Sequence, residues 1–319
     1  MSTSSRGVND GKILLKWLDL RATGLSMLER LCLEEALLRH TNHNWMIIGT
    51  HEPWPNKFLS NKIPSSTVPS YIREPNTDCM VVMGIGGKPD QLLNLEKIKQ
   101  DQVLVCKRFS GGGTVVLDAS SLWTTVIGRT EDFTHVPPYP KEIMEWSAKD
   151  IYGPTFDHLT KSALMKRHGQ KTLVLDTKSC STTENLGKVL ELPGLGQDIP
   201  TFALRENDYV FGDLKMGGNS QSIVKNGWLH HTSFLWDYDT DNMGYLKLPN
   251  KRPAYRGDRS HEEFLVKLNS YFDNRNEFFT SLHEACQSSF EIEKVQLMQA
   301  MEVVNESLGG MEAWWQVNR

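Results

Sequence analysis

The sequence predicts an α+β fold, a mixed β-sheet with helices packed on one side of it. Three observations carry that expectation. Short segments rich in Val, Ile, Thr and aromatic residues follow one another closely between Met80 and Gly128. A helix with its own start signal precedes them, and the last third of the chain has largely helical spacing.

That first helix is expected over Ser26 to His40, where Ser26 and Glu29 form a capping-box pair and Leu28, Leu31, Cys32 and Leu38 recur at roughly helical intervals. Residues 1–24 read as an N-terminal extension. Their Arg6, Lys12, Lys16, Arg21 and early serines faintly resemble a mitochondrial presequence, interrupted by Asp10 and Asp19. From His51 to Asn76 five prolines (Pro53, Pro55, Pro64, Pro69 and Pro75) prevent a helix and disfavour a central strand, so the segment reads as a surface excursion.

Strands are expected at Met80 to Gly84, Gln102 to Phe109, Thr114 to Asp118 and Leu122 to Gly128, together making one sheet of sequence neighbours. Pro140 to Ile151 reads as a helix, with proline in its first turn and Gly153 just past its end. Thr160 to Pro200 is polar and weakly periodic, and is expected to be an insertion or loop.

Strand character returns at Asp208 to Phe211 and Trp228 to Asp237, as a second small sheet or a sheet extension. Ser260 and Glu263 repeat the capping-box logic ahead of a helix sharing Phe264, Leu268, Tyr271 and Phe272 on one face. Helical spacing then continues from Phe278 to Leu308, with Gly309-Gly310 as a stop. Residues 25–319 therefore read as a single domain with polar insertions near 51–76 and 160–200 and no internal repeat.

Composition narrows the function classes. The chain has 319 residues, 39% hydrophobic and 23% charged, enough for a substantial core. A formal charge of -4 argues against a nucleic-acid partner recruited by a general positive field. Five scattered cysteines without a C-x-x-C pair argue against a disulfide framework or a zinc knuckle, so no metal site is expected. No run approaches the ~18 apolar residues of a membrane span. The expected setting is a reducing intracellular one, cytoplasmic, with the mitochondrion as the alternative.

Two glycine-rich segments carry the chemistry. Glycine weakens a strand interior, so Gly111, Gly112 and Gly113 need a reason, such as backbone that must approach something closely. Successive N–H groups there can face an oxygen, with Lys107 and Arg108 adding positive charge and Ser110 a hydroxyl. An exposed flexible turn fits the composition as well. The segment matches neither the phosphate loop G-x-x-x-x-G-K-S/T nor a G-x-G-x-x-G opening a helix, because β-branched residues follow Thr114 directly.

The second segment places Lys215 before Gly217, Gly218, Asn219, Ser220 and Gln221. There a lysine can act as a point charge on developing negative charge or remain a solvated surface group. The adjacent His230 and His231 would face opposite sides of a strand, which argues against joint metal ligation. One of them is expected inward and hydrogen-bonded. His261-Glu262 and His283-Glu284 lack the second histidine of H-E-x-x-H.

Taken in order, these segments resemble the lipoate-protein ligase and octanoyltransferase superfamily, which also contains the biotin protein ligases. The family's R-R-x-S/T-G-G-G-A/T-V-x-x-D corresponds to Lys107 through Asp118, with Arg108, Ser110, Gly111, Gly112, Gly113 and Thr114 at its centre. Its N-D segment corresponds to Asn207-Asp208, its K-x-x-G-S/T-A/S-Q to Lys215 through Gln221, and its H-H strand to His230-His231. LEEALLR looks like the family's early helix.

The resemblance implies the class II biotin/lipoate ligase catalytic fold. It also implies Lys215 as the central catalytic residue, with Arg108, Ser110, Gly111, Gly112, Gly113, Thr114, Asn207, Asp208, Gly217, Gly218, Ser220, Gln221 and His231 binding acyl group or adenylate. The implied reaction attaches lipoate or octanoate to a lysine of a lipoyl domain through an acyl-adenylate, using ATP and Mg2+. The alternatives are ATP-independent transfer from a carrier protein and a non-catalytic acyl-binding homologue.

Implied partners are lipoyl domains of 2-oxoacid dehydrogenase E2 subunits or the glycine cleavage H protein, with a small accessory subunit or an acyl carrier protein as further options. No separate C-terminal accessory domain is evident in the sequence. Leu117 stands where the family's hairpin usually has histidine. Thr201 stands where some octanoyltransferases have a cysteine, which argues against their thioester mechanism.

Overall fold

Ile13–Asp19, read above as part of an extension, forms strand β1 of the main sheet. It lies between parallel neighbours β2 (Asn44–Thr50) and β11 (Phe290–Val295). Lysines at 12 and 16 disguised it, but Lys16 lies directly across the ladder from Glu293 and pairs with it at 2.8 Å. The computed structural model describes residues 11–51, 76–168, 199–248 and 252–308. Most of the proline-rich excursion, positions 169–198 and the Gly309-Gly310 stop lie outside the described residues.

Eight strands make the main sheet in the order β11-β1-β2-β6-β10-β9-β8-β7. The added members are β6 (Ser121–Arg129), β7 (Phe202–Arg205), β8 (Asp208–Phe211), β9 (Leu214–Val224) and β10 (Gly227–Leu235), all antiparallel to their neighbours. The strand character after residue 200 thus extends the main sheet.

The expected sheet of sequence neighbours is divided. β3 (Asn76–Met83), β4 (Val103–Lys107) and β5 (Val115–Asp118) form a separate three-stranded sheet in the order β4-β3-β5, while β6 joins the large one. Every residue of β2 and of β6 is buried, which is the pattern of strands covered on both faces.

Helices cover both faces, not one as expected. On one face lie α2 (Pro140–Ser147), α3 (Gly153–His168) and α5 (Arg275–Ser289), whose Ile143, Trp146, Phe156 and Phe278 share a core with Trp228 and Phe234. On the other lie α1 (Met27–His40) and α6 (Leu297–Leu308), packed through Leu37, Leu38, Ala300 and Val304 onto Trp45, Ile127 and Leu229. The small sheet also packs against α1, with Met27 and Leu31 touching the Met80, Val82 and Leu117 cluster.

Several local expectations are corrected by long-range contacts. The Pro140 helix does not stop before Gly153. It passes through a π-helical turn at Ala148–Tyr152 into α3, so residues 160–168 are helical, not an insertion. Helix α4 (His261–Phe264) has its capping box but ends after four residues. Leu265 turns extended there, and Val266 donates its N–H to the Lys215 carbonyl. Phe264, Leu268 and Phe272 are buried all the same, from different short elements. The presumed long helix after Phe278 is interrupted by β11, whose exposed Glu291 and Glu293 mark its outward face.

Candidate functional site

The glycine segment is not a hairpin, because β4 and β5 flank β3 and do not pair with each other. It is a crossover passing the end of β3 and resting on β9. Gly112 takes φ +110°, and a Cβ there would come within 2.8 Å of the Ser220 Cβ and 2.9 Å of the Asn219 carbonyl, so only glycine fits. A Cβ on Gly113 would meet nothing within 4 Å. Gly111 donates its N–H to the Gln221 carbonyl at 2.8 Å, whereas the N–H groups of Gly112 and Gly113 have no backbone acceptor among the described residues.

Arg108, expected as a cation for a ligand, instead braces this loop. Its Nε donates to Ser220 Oγ at 3.0 Å, Nη1 to the Val82 carbonyl at 3.3 Å, and Nη2 to the carbonyls of Gly111 and Gly113 at 3.2 and 2.7 Å. Burial lowers its pKa to about 10, and nearby Cys106 offsets this in part.

A bulge in β9 places Lys215. Tyr209 of β8 pairs with Gly217 and Val210 with Lys215, leaving Met216 as the extra residue. Met216 therefore enters the core beside Tyr209 and Phe234, while the Lys215 ammonium turns to the opposite face and lies near Gly218. Lys215 Nζ pairs with Asp208 Oδ1 at 2.7 Å, and the Tyr255 hydroxyl donates to Asp208 Oδ2 at 2.9 Å. Asp208 is buried and Lys215 remains partly accessible. His261 lies near this pair; burial first, then the charges of Arg256 and Lys215, lower its pKa to about 4.

Both histidines of β10 are buried, where one was expected, because the sheet is covered on both faces. His231 faces the cleft side. Its Nδ1 lies 3.0 Å from Ser110 Oγ and 3.3 Å from Ser220 Oγ, its Nε2 is 2.8 Å from Glu34 Oε2, and its ring stacks on Trp123. Thr125 donates to the other Glu34 oxygen at 2.9 Å. His230 faces the opposite core, within 3.2 Å of Ser147, Tyr209 and Thr232, and accepts from Gln221 Nε2 at 2.9 Å. Burial, aided by His231, lowers its pKa to about 3.

Glu34 was missed from sequence. Its signal was position, since it stands with Arg30 on the buried face of α1 among Met27, Leu31, Leu37 and Leu38, where a charge needs a partner.

A cleft of about 430 Å³ opens between the small sheet and β9. Of the expected residues, Lys215, Asp208, Asn207, Gly218, Ser220, Gln221, His231, Arg108, Gly112, Gly113 and Thr114 line it; Ser110, Gly111 and Gly217 do not. Gln221 spends its side-chain amide on His230, and Ser110 is fully buried, linking Ser220 to His231. One end of the cleft is apolar, formed by Leu31, Val82, Leu117 and Trp123, and the other is cationic.

The Lipoyl protein ligase A/B catalytic domain family matches residues 56–149 of this chain. The chain is similar to lipoate-protein ligases. It is 29% identical over 265 residues to a Plasmodium falciparum protein named inactive lipoate-protein ligase 2, with 75% of this chain and 60% of that one aligned. The chain therefore spans about three fifths of the length of that curated relative.

Among solved structures, the Thermoplasma acidophilum bipartite lipoate protein ligase, described with its E2 lipoyl domain, matches with TM-score 0.53 and 16% identity over 92% of this chain and 91% of that one. A lipoate-protein ligase A bound with ATP matches with TM-score 0.52 and 15% identity, covering 92% and 93%. The chain shares the fold of these lipoate-protein ligase structures, a mixed sheet packed with helices. No helix among the described residues is long and apolar enough to cross a membrane.

Proposed function

We propose that this chain is a lipoate-protein ligase-like acyltransferase that joins lipoate or octanoate to a lysine of a lipoyl domain. The observation that carries the reading is the Lys215–Asp208 pair at the cationic end of a cleft whose other end is apolar, with the free N–H groups of Gly112 and Gly113 at its wall. The apolar end suits an acyl chain, and Lys215 lines the same cleft.

In the first step a carboxylate oxygen attacks the α-phosphorus of ATP, and pyrophosphate leaves with the electrons of the broken P–O bond. In the second, the target lysine amine attacks the acyl carbon, AMP leaves, and the amine gives up a proton. ATP supplies the leaving group that a bare carboxylate lacks. Lys215 stabilises the negative charge that gathers near it in both steps. Asp208, held by Tyr255, fixes where the ammonium points.

Three buried polar atoms of cleft-lining residues, Thr114 Oγ1, Trp123 Nε1 and Arg256 Nη2, have no partner among the described residues, and polar groups of a co-substrate could satisfy them. Among the described residues no three His, Cys, Asp or Glu side chains gather as a metal cage, so Mg2+ would enter with the phosphates of the nucleotide.

The relative named inactive favours a second reading, a non-catalytic acyl-binding homologue, and Leu117 in the cleft supports it. The deciding experiment is the intact mass of an apo lipoyl domain after incubation with the protein, Mg-ATP and lipoate or octanoate. A parallel reaction contains octanoyl-carrier protein without ATP. A gain with ATP and free acid supports the ligase. A gain from the carrier alone replaces it with the transferase. No gain in either leaves the acyl-binding homologue.

A further inference from the structure

Arg256 ends the short turn Ala254–Arg256 that follows the main sheet, and it is 5% exposed. Its Nε donates to the Arg259 carbonyl at 3.1 Å, and its guanidinium lies 4.6 Å from the centre of the Phe264 ring. Its Nη2 is buried without a partner, and the residue lines the same cleft as Lys215. No carboxylate among the described residues pairs with it. Asp208 is nearby but already engaged by Lys215 and Tyr255, Arg252 is spent on Asp258, and Arg259 donates to backbone carbonyls.

A guanidinium stripped of water and surrounded mainly by other cations is costly unless an anion completes it. Burial, and then Arg252, lower its pKa, so its surroundings oppose the charge that it carries. The Lys215 charge is already matched by Asp208. The additional cation calls for further negative charge, and a planar fork of N–H donors suits phosphate oxygens.

We infer that Arg256 is a phosphate-binding residue that holds the nucleotide's phosphates at the cationic end of the cleft. The Phe264 ring packs against the guanidinium and the Arg259 carbonyl takes Nε, which leaves Nη2 without a protein partner on a residue that lines the cleft. The inference rests on the ligase reading, but its test does not require acyl transfer.

The test is calorimetric titration of the full chain with Mg-ATP, AMP and pyrophosphate at constant ionic strength, using the wild type, Arg256→Gln and Arg256→Lys, with circular dichroism as the folding control. Arg256→Gln is expected to weaken ATP by about 10- to 100-fold, with lipoate affinity unchanged and Arg256→Lys in between. A parallel loss for pyrophosphate assigns the contact to the leaving phosphates, and one for AMP assigns it to the α-phosphate.

A folded Arg256→Gln that binds all three as the wild type does overturns the inference, as does a wild type that binds none. If neither variant folds, the wild type decides through its melting temperature. A rise with pyrophosphate or ATP supports the inference, and indifference to both overturns it. Phosphate binding that depends on Arg256, in a protein that never modifies a lipoyl domain, would retain the inference and remove the ligase.

Discussion

The two faces of β10 place neighbouring histidines in opposite settings. His231 faces the cleft and joins Glu34, Ser110 and Ser220 in a chain that ends on Arg108 and the glycine loop. His230 faces the helical core and is held by Ser147, Tyr209, Thr232 and Gln221. Both networks touch cleft-lining residues, the first at Ser220 and Arg108 and the second at Gln221 and Thr232, and each ties the sheet to a helix, through Glu34 and Ser147 respectively. Burial and hydrogen bonding alone therefore do not distinguish a working residue from a packing one.

The contrast can be broken most severely at Lys215. Lys215→Ala is expected to lower lipoyl-domain modification by about 10²- to 10³-fold, with some fall in melting temperature because buried Asp208 loses its cation and keeps only the Tyr255 hydroxyl. Full activity in this variant would end the proposed mechanism.

On the same face, Glu34→Ala leaves His231 Nε2 and the Thr125 hydroxyl without their buried partner. A loss of about 2–3 kcal/mol is expected in urea unfolding, with activity falling alongside. Unchanged stability would mean that the buried chain is replaceable by water.

The two adjacent glycines sharpen the comparison within the loop. Gly112→Ala forces a side chain into left-handed backbone and against Ser220, at a cost of about 1–3 kcal/mol. Gly113→Ala meets open space and is expected to spare stability while changing ligand affinity. Equal melting temperatures for the two variants would contradict this geometry.

The prediction with no effect at neutral pH belongs to the other face. Unfolded, the His230 ring takes a proton near its ordinary 6.5, but in the fold it resists protonation to about 3. Its contribution is complete above pH 6.5, declines by about 1.4 kcal/mol per pH unit below that, and levels off under pH 3. His230→Asn should flatten the acid limb of melting temperature against pH without moving the activity profile. An unchanged limb would assign acid sensitivity to other groups, His261 among them, whose pKa is also lowered.

Much of the site was legible in the sequence because its local requirements are stringent. Gly112 satisfies a φ and a contact that no other residue tolerates, and Lys215, Asp208 and Thr114 do line one cleft. Arg108 also lines that cleft, but its charge gave no sign that the fold would surround it with carbonyls and a hydroxyl. Glu34 and Arg256 carried no motif, and their significance appears only when distant segments meet. β1 and β11 escaped because each is a lone strand interrupted by charged residues, without the sequence neighbours that make a hairpin recognisable.

By itself the sequence determined what a few adjacent residues can decide: the capping boxes at Ser26 and Ser260 and the helix start at Pro140. Hydrogen bonds and steric limits of that kind act within one turn of chain. Tertiary structure alone decided that α4 stops where Leu265 docks beside Lys215, that both histidines are buried, and that residues 34, 110, 220 and 231 share one network. Those outcomes depend on which surfaces of a twice-covered sheet face one another, a property of packed elements and not of any one segment.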